Sequence, residues 1–297
     1  MKRIIISCLL FSTLSLFSQT VFAQAWTRDQ GHFYSNVSYS RLSGTAHYGF
    51  DGTKHPFPEP SQYIQNTVGL YLEYGVVDRW LTTIISTELL RDNTLTEQGS
   101  TRGLGDTRIG FWSGIVTKPF RLSVGLTTGI PTGDAKPQDL GAGATDNSKT
   151  VAATLPTGDG EFDFEPSLIF GHSFGGGRSA WPLAHFLVAQ AGYQIRTQEK
   201  FKPAISYKIE LGTKLPDSAL ERFWLITRFV GVEGLSLGDA SSGSIGGVGN
   251  ATHATLGLEL FASIADGFGV SAGVDLAVRA RGIVSAIPVK AALSYEY

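Results

Sequence analysis

Cysteine is almost absent from this chain: Cys8 is the only one in 297 residues. It falls inside a leader, so the mature protein has no thiol and no possible disulfide. Long apolar runs are missing as well. The longest, residues 4–17, falls short of the roughly 20 apolar residues that a membrane helix needs. No later window is longer, which excludes an α-helical membrane protein. Charge is sparse, at 17% of residues, and is not segregated into acidic and basic halves. Removing Lys2 and Arg3 with the leader leaves 22 of the 24 Lys and Arg against 26 Asp and Glu, a formal net charge of −4. Such a chain offers no broad basic face to a nucleic-acid backbone.

The leader itself is legible. Lys2 and Arg3 open it, an apolar core follows, and Val21-Phe22-Ala23 sets small residues before a cut after Ala23. Residues 1–23 thus read as a cleaved signal peptide and residues 24–297 as one exported unit. Ile5-Ile6-Ser7 ahead of Cys8 has the outline of a lipoprotein box. The apolar core mostly follows Cys8 instead of preceding it, which argues against lipidation there.

What the mature chain has in quantity is glycine, 36 residues, and a two-faced alternation. Apolar side chains recur at every second position with Gly, Ser, Thr or charged residues between them, the period of a pleated strand. The clearest case sets Phe268, Val270, Ala272, Val274, Leu276 and Val278 against Gly269, Ser271, Gly273, Asp275, Ala277 and Arg279. Twelve stretches behave this way, near residues 32–42, 64–74, 80–90, 106–112, 122–130, 161–174, 183–196, 205–214, 223–229, 255–260, 268–280 and 289–297. Two are imperfect. Ile84 and Ile85 leave the facing of the third ambiguous, and the ninth puts Trp224 and Ile226 on the face that is polar elsewhere. The last stretch, from Val289 to Tyr297, carries Tyr295 and Tyr297 on its apolar side. It resembles the C-terminal signature of bacterial outer-membrane β-barrels, which implies recognition by the barrel-assembly machinery.

The links between stretches alternate in length. Short ones fall near 76–79, 117–120, 175–180, 216–221 and 265–267; longer ones at 43–60, 91–102, 131–160, 197–203, 233–253 and 281–288. Short periplasmic turns alternating with longer extracellular loops are a mark of outer-membrane barrels. Next to the short links, Tyr74, Phe120, Phe174, Phe223, Phe268, Tyr295 and Tyr297 all fall on apolar faces, as an interfacial aromatic belt requires. A soluble β-sandwich would show the same alternation. Its dry core, however, cannot be filled with Gly, Ser and charges, because buried charges are costly unless paired and hydrogen-bonded. In hydrocarbon every backbone N–H and C=O must pair within the protein, so the sheet must close and the first strand must meet the last. The expected fold is all-β: a transmembrane, antiparallel, up-and-down β-barrel of about twelve strands. Its N- and C-termini are periplasmic, and it sits in the outer membrane of a Gram-negative bacterium.

Four segments go beyond generic barrel pattern: Tyr74-Gly75-Val76-Val77-Asp78-Arg79-Trp80, Gly103-Leu104-Gly105-Asp106, Pro131-Thr132-Gly133-Asp134 and Gly158-Asp159-Gly160. In this order they resemble the bacterial family described as transporters of the meta-cleavage pathway of phenol degradation. The similarity spans most of the mature chain on short, Gly-rich motifs. It implies an outer-membrane barrel that passes small, often aromatic molecules. The chain departs from the pattern in a long 131–160 segment with a second Pro156-Thr157-Gly158-Asp159, which leaves two positions for the motif. In plain physical terms, Gly103 and Gly105 permit backbone angles barred to other residues. Asp134 or Asp159 can close a turn by accepting backbone N–H bonds.

The lumen is expected to hold Asp106, Arg108, Glu161, Asp163, Glu165, Lys208, Glu210, Lys214, Arg228, Glu259, Asp275, Arg279 and Lys290. Two readings stay open: a cross-lumen charge ladder that narrows the pore and orients solutes, or acids and bases that pair with each other and hydrate the wall. Glu161, Asp163 and Glu165 share a face, but steps of about 7 Å along a strand are wide for one calcium ion, so neither metal nor cofactor is expected. An outer-membrane hydrolase is disfavoured too. His172 and His185 lie on apolar faces, Ser173 points away from His172, and His253 beside Thr255 sits at a loop edge, so no triad forms. The loops at 43–60 and 131–160 keep a surface-binding or adhesive barrel open. In the first, His47, Tyr48, Phe50, His55 and Phe57 could instead fold inward and gate an apolar solute. No plug domain precedes the first strand, which argues against energised import. The expected function is a passive channel or transporter for small, aromatic or amphipathic compounds.

Overall fold

The computed structural model describes residues 26–97, 99–135, 155–176, 183–216, 222–235 and 251–297. The expected signal peptide at 1–23 and the middle of the 131–160 loop lie outside the described residues.

The strands are β1 (Phe33–Gly44), β2 (Ala46–Tyr48), β3 (Lys54–Pro56), β4 (Tyr63–Val77), β5 (Leu81–Leu95), β6 (Gly99–Gly103), β7 (Thr107–Val116), β8 (Arg121–Ile130), β9 (Asp163–Gly175), β10 (Ala184–Arg196), β11 (Ala204–Lys214), β12 (Phe223–Gly234), β13 (Thr252–Ala265), β14 (Phe268–Arg281), β15 (Ile283–Val284) and β16 (Val289–Glu296). Twelve of them make the wall, each antiparallel to its neighbour in the order β1, β4, β5, β7, β8, β9, β10, β11, β12, β13, β14, β16. The ring closes where β1 pairs with β16, from Tyr34 opposite Glu296 to Arg41 opposite Val289. Closure leaves no sheet edge along the membrane-crossing part, as hydrocarbon requires. Strand β6 prolongs the β5 hairpin beyond the wall. Strands β15, β2 and β3 form a separate three-stranded sheet at the end with the long links.

Alternation explains which side each residue takes. On the outside, Val37, Leu89, Phe111, Leu126, Leu168, Tyr193, Ile209, Leu258 and Leu293 are each between 42% and 52% exposed and lie on strands all round the tube. Such a continuous apolar band would be a liability in water and is the natural surface toward lipid. At the short-link end this face carries aromatic pairs: Phe120 with Phe170 at 5.5 Å, Phe174 with His185 at 5.1 Å and Phe268 with Tyr295 at 4.5 Å between ring centroids. The ambiguity at Ile84 and Ile85 resolves inward for Ile84, which is buried, and outward for Ile85, which lies opposite Leu72 and Ile109. A bulge at Leu89 then shifts the register, so that Glu88 and Arg91 both face in.

The interior is not uniformly polar. Toward the short-link end Ile84, Trp112, Ile169, Phe186, Val188, Trp224 and Ile226 form one buried apolar cluster across β5 to β12. Glycines on neighbouring strands make room for it. A Cβ on Gly212 would overlap the Phe186 ring, and one on Gly125 would overlap the Trp112 indole. Toward the long-link end Phe57, Tyr63, Leu95, Leu155 and Val284 form a second cluster. The wall changes character between β14 and β1. The β14–β16 ladder stops at Val274 opposite Val289; beyond it the Asp275 N–H donates to the Pro288 carbonyl at 3.3 Å, and Ile283 and Val284 pair with β2 instead of with the wall.

Candidate functional site

Among the described residues two adjoining cavities lie inside the tube. The larger, about 530 Å³, is lined by Tyr34, Asn36, Ser38, Tyr71 and Phe261 with Glu73, Lys208, Glu210, Arg228, Glu259 and Lys290. The other, about 440 Å³, lies under the long-link end among Leu42, Tyr63, Ala277, Val284 and Ala286 with His253, Asp275, Arg228 and Lys290. They meet at Arg228, Val230 and Lys290, which line both.

The charged residues singled out in the sequence fall into pairs that the strand register assembles. Arg108 on β7 reaches Asp163 at 3.4 Å and Glu165 at 3.2 Å on β9, and Ser206 Oγ donates to the same Glu165 at 2.7 Å. Arg228 pairs with Glu259, and Lys290 with Asp275. Glu210 lies across the ladder from Arg228, and Lys208 shares the larger cavity with both. Glu161, buried just ahead of β9, pairs with Arg196, while Arg279 pairs with Glu233 at 2.9 Å near the rim and stays half exposed. Lys214 ends β11 opposite Trp224 at the other rim. Among the described residues no three His, Cys, Asp or Glu side chains are grouped to hold a metal ion.

Asp106 has a distinct place. It stands just before β7, where its carboxylate accepts the N–H of Gly133 at 3.0 Å and of Asp159 at 2.9 Å. One aspartate thereby ties together both Pro-Thr-Gly-Asp segments. Thr157 completes the clasp: its Oγ accepts the Asp134 N–H at 2.8 Å while its own N–H donates to the Asp134 carbonyl at 2.9 Å. Glycine is required in each segment because the two chains touch. A Cβ on Gly133 would stand 2.7 Å from Gly158 Cα. Asp159 closes its own turn by accepting the Glu161 N–H at 3.1 Å and binds Arg196 at 2.9 Å. Burial, with Asp106 and Glu161 nearby, pushes its carboxyl from 3.8 to about 6.

One functional element left little trace in the sequence. Residues 26–32 run into the short-link end, where Trp26 packs on the interior cluster. Arg28, 6% exposed, donates to Glu73 at 2.7 Å and pairs with Glu296. Its own N–H bonds Thr82 Oγ at 2.8 Å, and Tyr71 OH donates to Glu73 at 2.7 Å. Beside it is a vestibule of about 340 Å³ bordered by Trp26, Arg28, His32, Arg79, Lys118 and Arg121. A single arginine amid mixed sequence carries no period that would mark it. Only the pairing of β1 with β16 brings Glu296 within reach.

At the opposite end the aromatic and imidazole residues of the first long loop divide. Phe57 is buried, and His47 stacks on it at 5.2 Å. His55 stays exposed beside Asp51 and Thr53, and Phe50 borders Gly282. Burial and the neighbouring His55 lower the affinity of His47 for a proton. His172 and His185 face outward, each stacked on Phe174. His253, at the start of β13, faces the 440 Å³ cavity.

No family model matches the chain, and no curated protein does. The resemblance to the phenol-pathway family therefore stands on its motifs alone. Among solved structures, the chain is similar to an outer membrane channel from Pseudomonas putida F1, with a TM-score of 0.66 and 12% identity over 94% of this chain and 100% of that one. The β domain of the Bordetella autotransporter BrkA gives 0.48 at 12% identity over 90% and 100% of the two chains. The Ralstonia pickettii toluene transporter TbuX gives 0.41 at 10% identity over 91% and 90%. The first likeness establishes the fold, and the other two are too distant to add to it.

Proposed function

We propose that the protein is a passive outer-membrane channel for small, aromatic or amphipathic solutes. The observation that carries this reading is the pair of adjoining cavities, about 440 and 530 Å³, inside a closed tube whose outside is apolar. Volumes of this order hold small organic molecules. Their linings mix apolar walls with charges already paired to each other, which suits an amphipathic solute better than a bare ion. Residues 1–23 act as the export signal, the long-link end faces outward, and both termini are periplasmic. The strand from Val289 to Tyr297 is what the barrel-assembly machinery reads. The pairs of Arg108, Arg196, Arg228 and Lys290 with their acids narrow the path and orient what passes. The description of the Pseudomonas putida neighbour as an outer membrane channel agrees with this reading. The motif resemblance to the phenol-pathway family points to aromatic cargo.

The test is swelling of proteoliposomes in phenol, catechol and, for contrast, a disaccharide of similar polarity to sucrose. Faster swelling than empty liposomes with the phenolic solutes and not with the disaccharide supports the reading. Rates equal to empty liposomes for every solute would overturn it.

A further inference from the structure

We propose that the 440 Å³ cavity is a binding station for an uncharged aromatic compound bearing a single hydroxyl, and that His253 is the residue that selects it. This rests on the channel reading. The walls are Leu42, Val230, Ala277, Val284 and Ala286 with the ring of Tyr63. An apolar cavity of about 150 Å³ already holds benzene, so the space accommodates a substituted single ring or a fused pair. The charged groups at its floor are each in an ion pair, Arg228 with Glu259 and Lys290 with Asp275, with Arg228 Nε left without a hydrogen bond among the described residues. An ionised solute would find no free counter-charge and would have to break a pair to gain one, which leaves a buried charge uncompensated. Selection therefore runs against carboxylates and ammonium groups.

Among the described residues the His253 side chain makes no hydrogen bond, and its Nδ1 is sealed from solvent without a partner. That leaves Nε2 as the polar atom the ring presents to the cavity it lines. With Nδ1 closed off, Nε2 is the ring atom within a ligand's reach, and there a neutral imidazole can accept from an O–H or donate to an oxygen. A hydroxyl on an aromatic ring satisfies it while the ring meets the apolar walls. A hydrocarbon fills the walls and leaves the imidazole unmet.

The experiment measures binding of 1-naphthol, naphthalene and 1-naphthoate to the purified full-length protein in detergent, by energy transfer from tryptophan. Imidazole ¹⁵N spectra of histidine-labelled protein are recorded alongside. Wild type should bind 1-naphthol about five- to tenfold tighter than naphthalene, the worth of one hydrogen bond, with 1-naphthoate weakest. His253→Phe should bring 1-naphthol down to the naphthalene level and leave naphthalene within twofold, and His253→Asn should retain part of the preference. If His253→Phe fails to show the folded mobility on an unheated gel, the shift of the wild-type His253 Nε2 resonance on adding 1-naphthol decides. Unchanged 1-naphthol affinity in a folded His253→Phe, an unmoved resonance, or tightest binding of 1-naphthoate would overturn the proposal. Histidine-dependent binding without any swelling of proteoliposomes would uphold the site and sink the channel reading. Swelling without histidine-dependent binding would do the reverse.

Discussion

Replacing Arg28 by Ala tests what holds residues 26–32 against the short-link end of the tube. The guanidinium is 6% exposed and Glu73 is 4% exposed, with 2.7 Å between Nε and Oε2 and a second pair to Glu296. Removing one partner of such a pair costs about 3–5 kcal/mol, because Glu73 stays buried with only the Tyr71 hydroxyl bonded to it. Other bonds hold the segment: the Arg28 N–H to Thr82, Thr27 Oγ to the Arg79 carbonyl at 2.6 Å and the Gln30 N–H to Asp78 at 2.8 Å. Each contributes about 1 kcal/mol, so together they are comparable to what is lost. The segment should then leave the tube for a sizeable fraction of the time. Planar-bilayer recordings should show a larger mean conductance and more open–closed transitions for Arg28→Ala, with Arg28→Lys in between. Adding Glu73→Gln and Glu296→Gln to Arg28→Ala should recover thermal stability without restoring the wild-type conductance. That combination separates the electrostatic penalty from the physical obstruction. Wild-type conductance and an unchanged unfolding midpoint in Arg28→Ala would refute the reasoning.

Asp106→Asn leaves one side-chain oxygen where two backbone N–H groups now donate, so the urea midpoint should fall by an amount equivalent to about 1.5–3 kcal/mol. Gly158→Ala drives a methyl into Gly133 Cα, 2.8 Å away, and should destabilise by about 1–3 kcal/mol, read in the same assay. The Asp159 carboxyl titrates at about 6 in the fold against 3.8 otherwise, so the folded protein holds this proton more tightly than the unfolded chain does. Its contribution is fully present below about pH 4 and is lost as pH rises to about 6. Unfolding midpoints of wild type and Asp159→Asn should therefore draw apart across that window, and parallel curves would discard the assignment. Leu276→Arg places a charge on the outer face of β14, a cost of about 2–4 kcal/mol if it sits near mid-bilayer. Folding yield into liposomes should drop, and an unchanged yield would take Leu276 off the lipid side.

Much of the wall was legible because each strand sits between two solvents. Lipid demands Leu258 and Leu276 on one face, and the tube interior accepts Gly257 and Asp275 on the other, so burial is written at every second residue. The facing of β5 was not legible, since Ile84 belongs to an interior apolar cluster and Leu89 occupies a bulge. Both are responses to neighbours on other strands. The expectation of a polar interior from Gly, Ser and charge fails where Phe186, Trp224 and Ile226 pack together, while Glu73, Lys208, Glu210 and Glu259 line the larger cavity. The ninth stretch had signalled this with its apolar inner face.

The chain's own order of residues was enough to specify an all-β tube, the number of strands in its wall and the side most wall residues take, because those follow from local period and the need to pair every backbone group. Which charges meet, where cavities remain and what fills the ends depend on register between strands far apart in sequence. Arg108 finds Asp163 two strands away, Asp106 ahead of β7 gathers both ends of the long link between β8 and β9, and Arg28 finds Glu296 only once the ring has closed. Period is a one-dimensional property and survives in the sequence, whereas the distance between side chains facing a common interior exists only in the closed barrel.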